Sequence, residues 1–253
     1  MAGTRLRRLH GPAVRLLRTR QSDSTSDRAH PVWLFDLDNT LHNTSHAIFA
    51  RINVGMTAAV ARSLGVDDDE ANRLRSKYWH RYGATVIGMQ RHHGIDVHEF
   101  LALSHDFDVA PLVQAPKGLR QMLARLPGRK VLVTNAPLDY ARAVLKHLRL
   151  QRSFDSLWAI EQMRIHGTFR PKPSIALMRH VLAREGIPAS RAVLVEDTLS
   201  NLRGARAVGL RTVHVFHPGT PFAKLHRGRA DYVDLRVNSV EHLLQQRRPL
   251  RRR

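Results

Sequence analysis

The stretch V-W-L-F-D-L-D-N-T-L, running from Val32 to Leu41, decides the fold. Its first four residues, Val32 to Phe35, are apolar without a break, as expected of a parallel strand buried on both faces. Two acids, Asp36 and Asp38, arrive at the carboxyl end of that strand, which is where open α/β sheets bind ligands. Side chains alternate along a strand, so the two carboxylates leave it pointing the same way and can face one reacting centre. Taken alone, the decapeptide fits an ordinary strand exit equally well, with the acids and Asn39 in a solvated turn.

Downstream the pattern changes twice. From about Thr44 to Pro116 it is helical: Ile48, Ile52, Met56, Ala59, Val60 and Leu64 recur at helical spacing until Gly65 stops them. Asp67, Asp68 and Asp69 then supply N-cap and first-turn acids for a helix through Leu74 to Tyr82. Gly83, Gly88 and Gly94 read as punctuation, and Asp96 as the cap of a segment holding Val97, Phe100 and Leu101. Beyond Pro116, helices and strands alternate. Strands are expected at Lys130 to Val133, Leu157 to Ile160, Ala192 to Val195, Thr212 to Phe216 and Asp231 to Leu235. The helices between them carry Leu119 to Leu126, Ala141 to Leu148, Ile175 to Leu182, Leu199 to Val208 and Val240 to Leu244. The expected fold is α/β, a Rossmann-like parallel sheet covered on both faces by helices, with an inserted helical subdomain. The corresponding division is a core over 31–42 and 116–245, a helical cap over 43–115, and basic tails over 1–30 and 246–253.

Composition sets the outer bounds. With 253 residues, 43% of them hydrophobic, the chain can bury a substantial core. No apolar run approaches the roughly 20 residues needed to cross a bilayer, so no membrane span is expected. The absence of cysteine excludes disulfides, thiolate catalysis and Cys-based zinc sites, and fits a cytoplasmic setting. The formal charge of +20 comes partly from the ends, where Arg5 to Arg28 and Arg247 to Arg253 cluster. Such tails can attract polyanions, but solvated basic ends are the expectation, not specific nucleic-acid binding. The Arg-rich, acid-poor start also resembles a transit peptide; a cytoplasmic tail is preferred because both ends are basic. His42 with His46, and His92 with His93, lack the partners of a zinc motif and read as surface or packing residues. Trp33, Trp79 and Trp158 are too scattered for a stacking platform and read as core or interface packing.

What raises the first stretch above an ordinary turn is convergence. Thr134 and Asn135 follow one strand, Glu196 and Asp197 another, and Lys172 opens a helix; in a parallel sheet these ends share one rim. Carboxylates from two strands suit Mg²⁺, which takes oxygen ligands and keeps several waters. A threonine hydroxyl, an asparagine amide and a lysine suit phosphoryl oxygens. Phosphoryl transfer depends mainly on positioning and charge neutralisation, which this inventory supplies.

Four stretches, D-L-D-N-T-L, the T-N after V-L-V, R-P-K-P and V-E-D-T-L-S-N, resemble the ordered motifs of the haloacid dehalogenase-like hydrolase superfamily, from Val32 to about Phe216. The resemblance implies Asp36 as nucleophile and Mg²⁺ ligand, and Asp38 as general acid/base that binds the ion through its backbone carbonyl. It implies Thr134, Asn135 and Lys172 as phosphate-binding, Asp197 as a further metal ligand, and Glu196 and Asn201 as neighbours of that shell. Asn201 stands where many relatives carry an acid. The second aspartate favours phosphate over halide chemistry, and the insert after Asp36 matches a C1-type cap. L-H-N-T-S and Y-G-A-T-V-I-G-M-Q are similar to the pyrimidine 5′-nucleotidase group, although His42 replaces an expected tyrosine. That subgroup implies UMP- and CMP-like substrates, small phosphorylated metabolites, with Asn43, Ser45, Tyr82, Met89 and Arg91 as candidate nucleoside contacts in the cap. Two alternatives remain open at this stage. One is a phosphatase or mutase for sugar phosphates or phosphoglycolate, with the same core; the other is a non-catalytic nucleic-acid binder that uses the tails.

Overall fold

A computed structural model describes residues 30–44, 47–216 and 229–245. The basic tails therefore lie outside the described residues except for His30, as do Ser45 and His46.

The first strand, β1 (Val32–Phe35), is followed by four helices: α1 (Ile48–Leu64), α2 (Asp68–Tyr82), α3 (Thr85–His93) and α4 (Val97–Ser104). Helix α1 stops at Gly65 in the left-handed conformation. Asp67 and Asp96 accept the N–H groups of Glu70 and Glu99, each at 2.9 Å, so both aspartates cap as their positions predict. These helices share a core of their own, built on Val60, Leu74, Tyr78, Met89 and Phe100.

Gly88 departs from its reading as punctuation, because it lies inside α3. A β-carbon there would come within 2.1 Å of the Tyr78 ring. Glycine is needed at this position so that α2 can lay an aromatic ring on the α3 backbone.

The alternating half follows with α5 (Leu119–Arg125), β2 (Lys130–Val133), α6 (Leu138–His147) and β3 (Ser156–Trp158). Next come β4 (Arg164–Ile165), β5 (Thr168–Phe169), α7 (Ile175–Glu185), β6 (Ala192–Glu196) and α8 (Leu199–Arg206). The described chain closes with β7 (Arg211–Val215), β8 (Leu235–Val237) and α9 (Val240–Gln245). Six strands form one parallel sheet in the order β3-β2-β1-β6-β7-β8. Trp33 and Phe35 enter the core shared with α5, α6 and α9, while Val32 and Leu34 enter the one shared with α7 and α8. Both faces of the sheet are thus covered, as the fully apolar strands require.

Three local expectations shift. The third sheet strand ends at Trp158, because Ala159 N–H turns onto Gln162 Oε1 at 2.8 Å and carries Ile160 into the core of the inserted helices. The edge strand begins at Leu235, not Asp231; before it, the Asp234 carboxylate accepts the Thr212 N–H at 2.9 Å, holding a turn against β7. The antiparallel ribbon β4-β5 has no counterpart among the expected strands. Its turn residues His166 and Gly167 have φ of 47° and 77°, the double left-handed turn that matches strand twist.

Candidate active site

Strand order sets the site. β1 lies between β2 and β6, and the chain departs to opposite sides of β1, leaving a crevice at the carboxyl rim. Phe35 pairs with Val195, so Asp36 and Glu196 exit adjacent strands side by side. Strand parity turns Asp36 toward the α7 face, where Lys172 arrives from the loop before that helix. Lys172 Nζ lies 2.6 Å from Asp36 Oδ1 and 2.6 Å from Glu196 Oε2, and all three side chains are buried. The Asn135 amide clamps the Lys172 backbone, donating to Lys172 O at 3.0 Å and accepting from Lys172 N–H at 2.9 Å. Thr134 is buried beside it, with Oγ1 accepting the Ala136 N–H at 3.0 Å. Glu196 Oε1 accepts the Thr198 N–H at 3.1 Å, and Asp197 Oδ1 accepts the Thr198 hydroxyl at 3.2 Å.

The charges in this cluster do not balance. Burial works against the Lys172 cation, but Asp36 and Glu196 outweigh it and hold the ammonium protonated beyond the ordinary lysine range. Burial, reinforced by Glu196 and only partly offset by Lys172, pushes the Asp36 carboxyl up to about 8. Burial together with Glu196 and Asp36 likewise pushes Asp197 well up. Three acids share one lysine, and carboxylate oxygens of Asp36, Glu196 and Asp197 lie within 4.8 Å of one another. An all-oxygen donor set short of positive charge fits a hard divalent cation such as Mg²⁺.

Asp38 occupies a different corner. Leu41 N–H returns to Leu37 O at 2.9 Å, and this turn brings His42 back beside Asp38, with Nε2 3.1 Å from Asp38 Oδ1. Asn39 holds the turn at φ 55° while its Oδ1 accepts both the N–H and the hydroxyl of Thr44. Tyr140, in the first turn of α6, donates its hydroxyl to the same Asp38 Oδ1 at 2.7 Å. Burial and the Asp38 charge push the Tyr140 phenol well up, so it stays a donor. His105 stands edge-on to Tyr140 with ring centroids 5.6 Å apart; burial lowers it to about 4, against the pull of Asp38, so it is neutral near pH 7.

His42 and Tyr140 were not recognised as site residues in the sequence. The usable signal for His42 was its i,i+4 spacing from Asp38, and for Tyr140 its place in the first turn after a rim strand. Of the two expectations for His42, surface or packing, burial bears out packing, and the group it packs against is the second aspartate.

Between the inserted helices and the rim lie two openings. A pocket of about 380 Å³ is lined by Asp38 and His105, by Phe49, Met56 and Trp79, and by Arg75, which is bonded to Asn53 at 2.8 Å. A larger open cleft of about 1190 Å³ holds Tyr82, Arg91, Lys172 and Asn201. Tyr82 and Arg91 are therefore brought to the site, and Ser45 lies outside the described residues. Met89 is completely buried in the helical core, where its side chain packs and cannot reach a ligand. Asn43 faces a separate small cleft with Gln114 and Ser239, its N–H bonded to Gln114 O at 2.7 Å. Trp79, read as packing, is 44% exposed and lines both openings.

Residues 33–215 match the family model described as haloacid dehalogenase-like hydrolase. The chain is 28% identical over 202 residues to phosphate metabolism protein 8 of Saccharomyces cerevisiae, a match covering 76% of this chain and 62% of that protein, under two thirds of its length. It is 28% identical over 196 residues to a 5′-nucleotidase of Pseudomonas aeruginosa, covering 74% of this chain and 82% of the relative. Among solved structures, an HAD phosphatase from Thermococcus onnurineus superposes with a TM-score of 0.57 at 23% identity, over 84% of this chain and 95% of that one. That last likeness supports the fold.

Proposed function

Because the chain belongs to the haloacid dehalogenase-like hydrolase family, we propose that it is a Mg²⁺-dependent phosphomonoesterase that works through an aspartyl phosphate, with pyrimidine nucleoside monophosphates as substrates. The observation that carries this reading is the rim itself, where Asp36, Lys172 and Glu196 form one buried ion cluster while Asp38 is held separately by His42 and Tyr140. Two aspartates two residues apart thereby receive different partners, which suits different jobs.

An ionised Asp36 oxygen attacks phosphorus, the bond from phosphorus to the leaving oxygen breaks, and Asp38 in its acid form delivers a proton to that oxygen. Asp38, now a carboxylate, takes a proton from water; the water oxygen attacks the acyl phosphate, and breaking of the phosphorus to Asp36 bond releases phosphate. The Thr134 hydroxyl and Lys172 steady the phosphoryl oxygens, and the Asn135 amide holds the Lys172 backbone in place. Asp36, Asp197 and the Asp38 carbonyl would hold Mg²⁺, with Glu196 and Asn201 beside them. The ion would supply charge neutralisation for a dianionic substrate approaching these acids.

The nucleotide part of the reading is supported by the cap sequence and by the pocket next to Asp38, whose aromatic and thioether walls suit a base and whose Arg75 and Asn53 suit its polar edge. Phosphate release from UMP, CMP, AMP, phosphoglycolate and glucose 6-phosphate, with Mg²⁺ and with EDTA, tests it. Fast turnover of UMP and CMP, abolished by EDTA, is expected. Equal rates on AMP would overturn the pyrimidine assignment, and a preference for phosphoglycolate would replace the nucleotide reading altogether.

A further inference from the structure

The larger cleft has a feature that hydrolysis of a simple monophosphate does not use. Every fully charged side chain lining it is cationic, namely Arg81, Arg91, Arg170 and Lys172, and among the described residues no carboxylate lines it. Lys172 is already neutralised by Asp36 and Glu196. The three arginines form no ion pair with a described carboxylate.

They are nonetheless arranged. The guanidinium carbons of Arg81 and Arg91 lie 5.6 and 5.7 Å from the centroid of the Tyr82 ring, whose hydroxyl is fixed 2.6 Å from His92 Nε2. Cation–π contact engages the guanidinium face and leaves N–H edges able to meet an anion. Gly83 ends α2 in the left-handed conformation at φ 79° and lies beside the R-P-K-P loop, the position of a β-carbon there being 3.5 Å from Lys172 O and 3.8 Å from Pro171 Cγ, ordinary contact distances. Arg81 and Arg170 thus face one cleft from opposite elements. Arginine in the last turn of a helix ordinarily answers the helix dipole, which accounts for Arg81 and Arg91. It does not account for Arg170, which is in a loop, or for the exclusion of acids.

We propose that this cleft can receive a second phosphate of the substrate, distinct from the one cleaved, so that a monoester carrying a second phosphate is turned over more efficiently than the same monoester without it. The inference rests on the phosphomonoesterase reading of the adjoining rim. Planar guanidinium forks match phosphate oxygens in pairs, and the open cleft allows the second group to remain hydrated.

The test compares kcat/KM for UMP with uridine 3′,5′-bisphosphate, and for glucose 6-phosphate with glucose 1,6-bisphosphate, in the native protein and in an Arg81→Gln/Arg170→Gln double variant. A bisphosphate preference of about tenfold is expected at low salt, because exposed charge-assisted contacts are individually modest. It should fall to about twofold in the double variant and shrink in the native protein as salt is raised. A native ratio near one in both pairs, or a ratio unchanged by the double substitution, would overturn the assignment while leaving the phosphatase reading intact. Absence of turnover on every monoester would overturn both.

Discussion

The sheet rim and the inserted helices hold their charges in opposite ways. At the rim, Asp36, Lys172 and Glu196 are each at most 6% exposed, and their charged atoms meet at 2.6 Å. On the cap side, Arg81 and Arg91 are exposed and rest on a tyrosine ring. Charges buried this closely act on one another in a low dielectric, so a change at one member is felt strongly by the others, and its sign depends on whether it adds to or relieves the excess of acid. Exposed groups over a cleft are screened and act nearly independently. Rim substitutions should therefore reach the chemical step and the stability of the site, whereas cap substitutions should change which substrate binds and how tightly.

The sharpest test of that division is Asp36→Asn. An amide cannot form the acyl phosphate, so kcat should fall by at least about 10³-fold. The fold should survive, because a neutral side chain suits a position where burial already opposes the charge. Retained phosphate release by this variant would remove Asp36 as nucleophile.

Next in size is the response to metal and pH. In the metal-free protein Asp36 keeps its proton up to about pH 8, whereas the unfolded carboxyl loses it near 3.8. The native state then binds more protons over this window, so its stability falls as pH rises from about 4 to 8. Mg²⁺ at roughly one hundred times its Kd should add about 2.7 kcal/mol, a melting shift of about 5–10 °C at pH 8, with a smaller shift at pH 5. Melting curves with Mg²⁺ and with EDTA at both pH values measure this. A shift of the same size at both would show that the acids are not what the ion engages, and Asp36→Asn should flatten the metal-free slope.

Tyr140→Phe probes the second aspartate. Its hydroxyl is one of two described side-chain contacts to Asp38 Oδ1, and His42 remains after the substitution. A hydrogen bond to a charged group is worth roughly 1.5–3 kcal/mol, but with one partner kept the loss should be near the lower figure, about tenfold in kcat. An altered pH profile of kcat should accompany it if Tyr140 acts through Asp38. A change confined to melting temperature would make the contact merely structural.

The contrast also explains what could be read from the sequence. Burial of Val32 to Phe35 on both faces is a property of a four-residue run, and the chain order of strands places Asp36, Thr134, Lys172 and Glu196 on one rim without reference to any side-chain packing. The helical insert offered no such shortcut. Met89 and Arg91 are two residues apart on α3, about 200° around its axis, so one faces the helical core and the other the cleft. Which of the two faces inward depends on how α3 packs on Tyr78, whose ring occupies the space a β-carbon at Gly88 would need, and the sequence signature of that glycine is that of a break. His42 was obscured for a related reason. A histidine spaced four residues from an acid is common on solvated turns, and only the Leu37 to Leu41 turn, held by Asn39 and Thr44, brings it to Asp38.

The smallest effect is the one most able to break the division between rim and cap. Trp79 belongs to α2 and borders both the pocket beside Asp38 and the larger cleft, while remaining 44% exposed. Under the proposed reading its ring contacts the leaving group in the ground and transition states alike, so Trp79→Ala should raise KM for UMP by about fivefold, in line with 0.5–1.5 kcal/mol for one aromatic contact. Uniform binding of this kind leaves kcat unchanged. Phosphate-release kinetics across a UMP concentration series would separate the two parameters. A fall in kcat comparable to that of Tyr140→Phe would mean that Trp79 also sets the position of Asp38 or closes the site over it, and that the cap takes part in the chemical step.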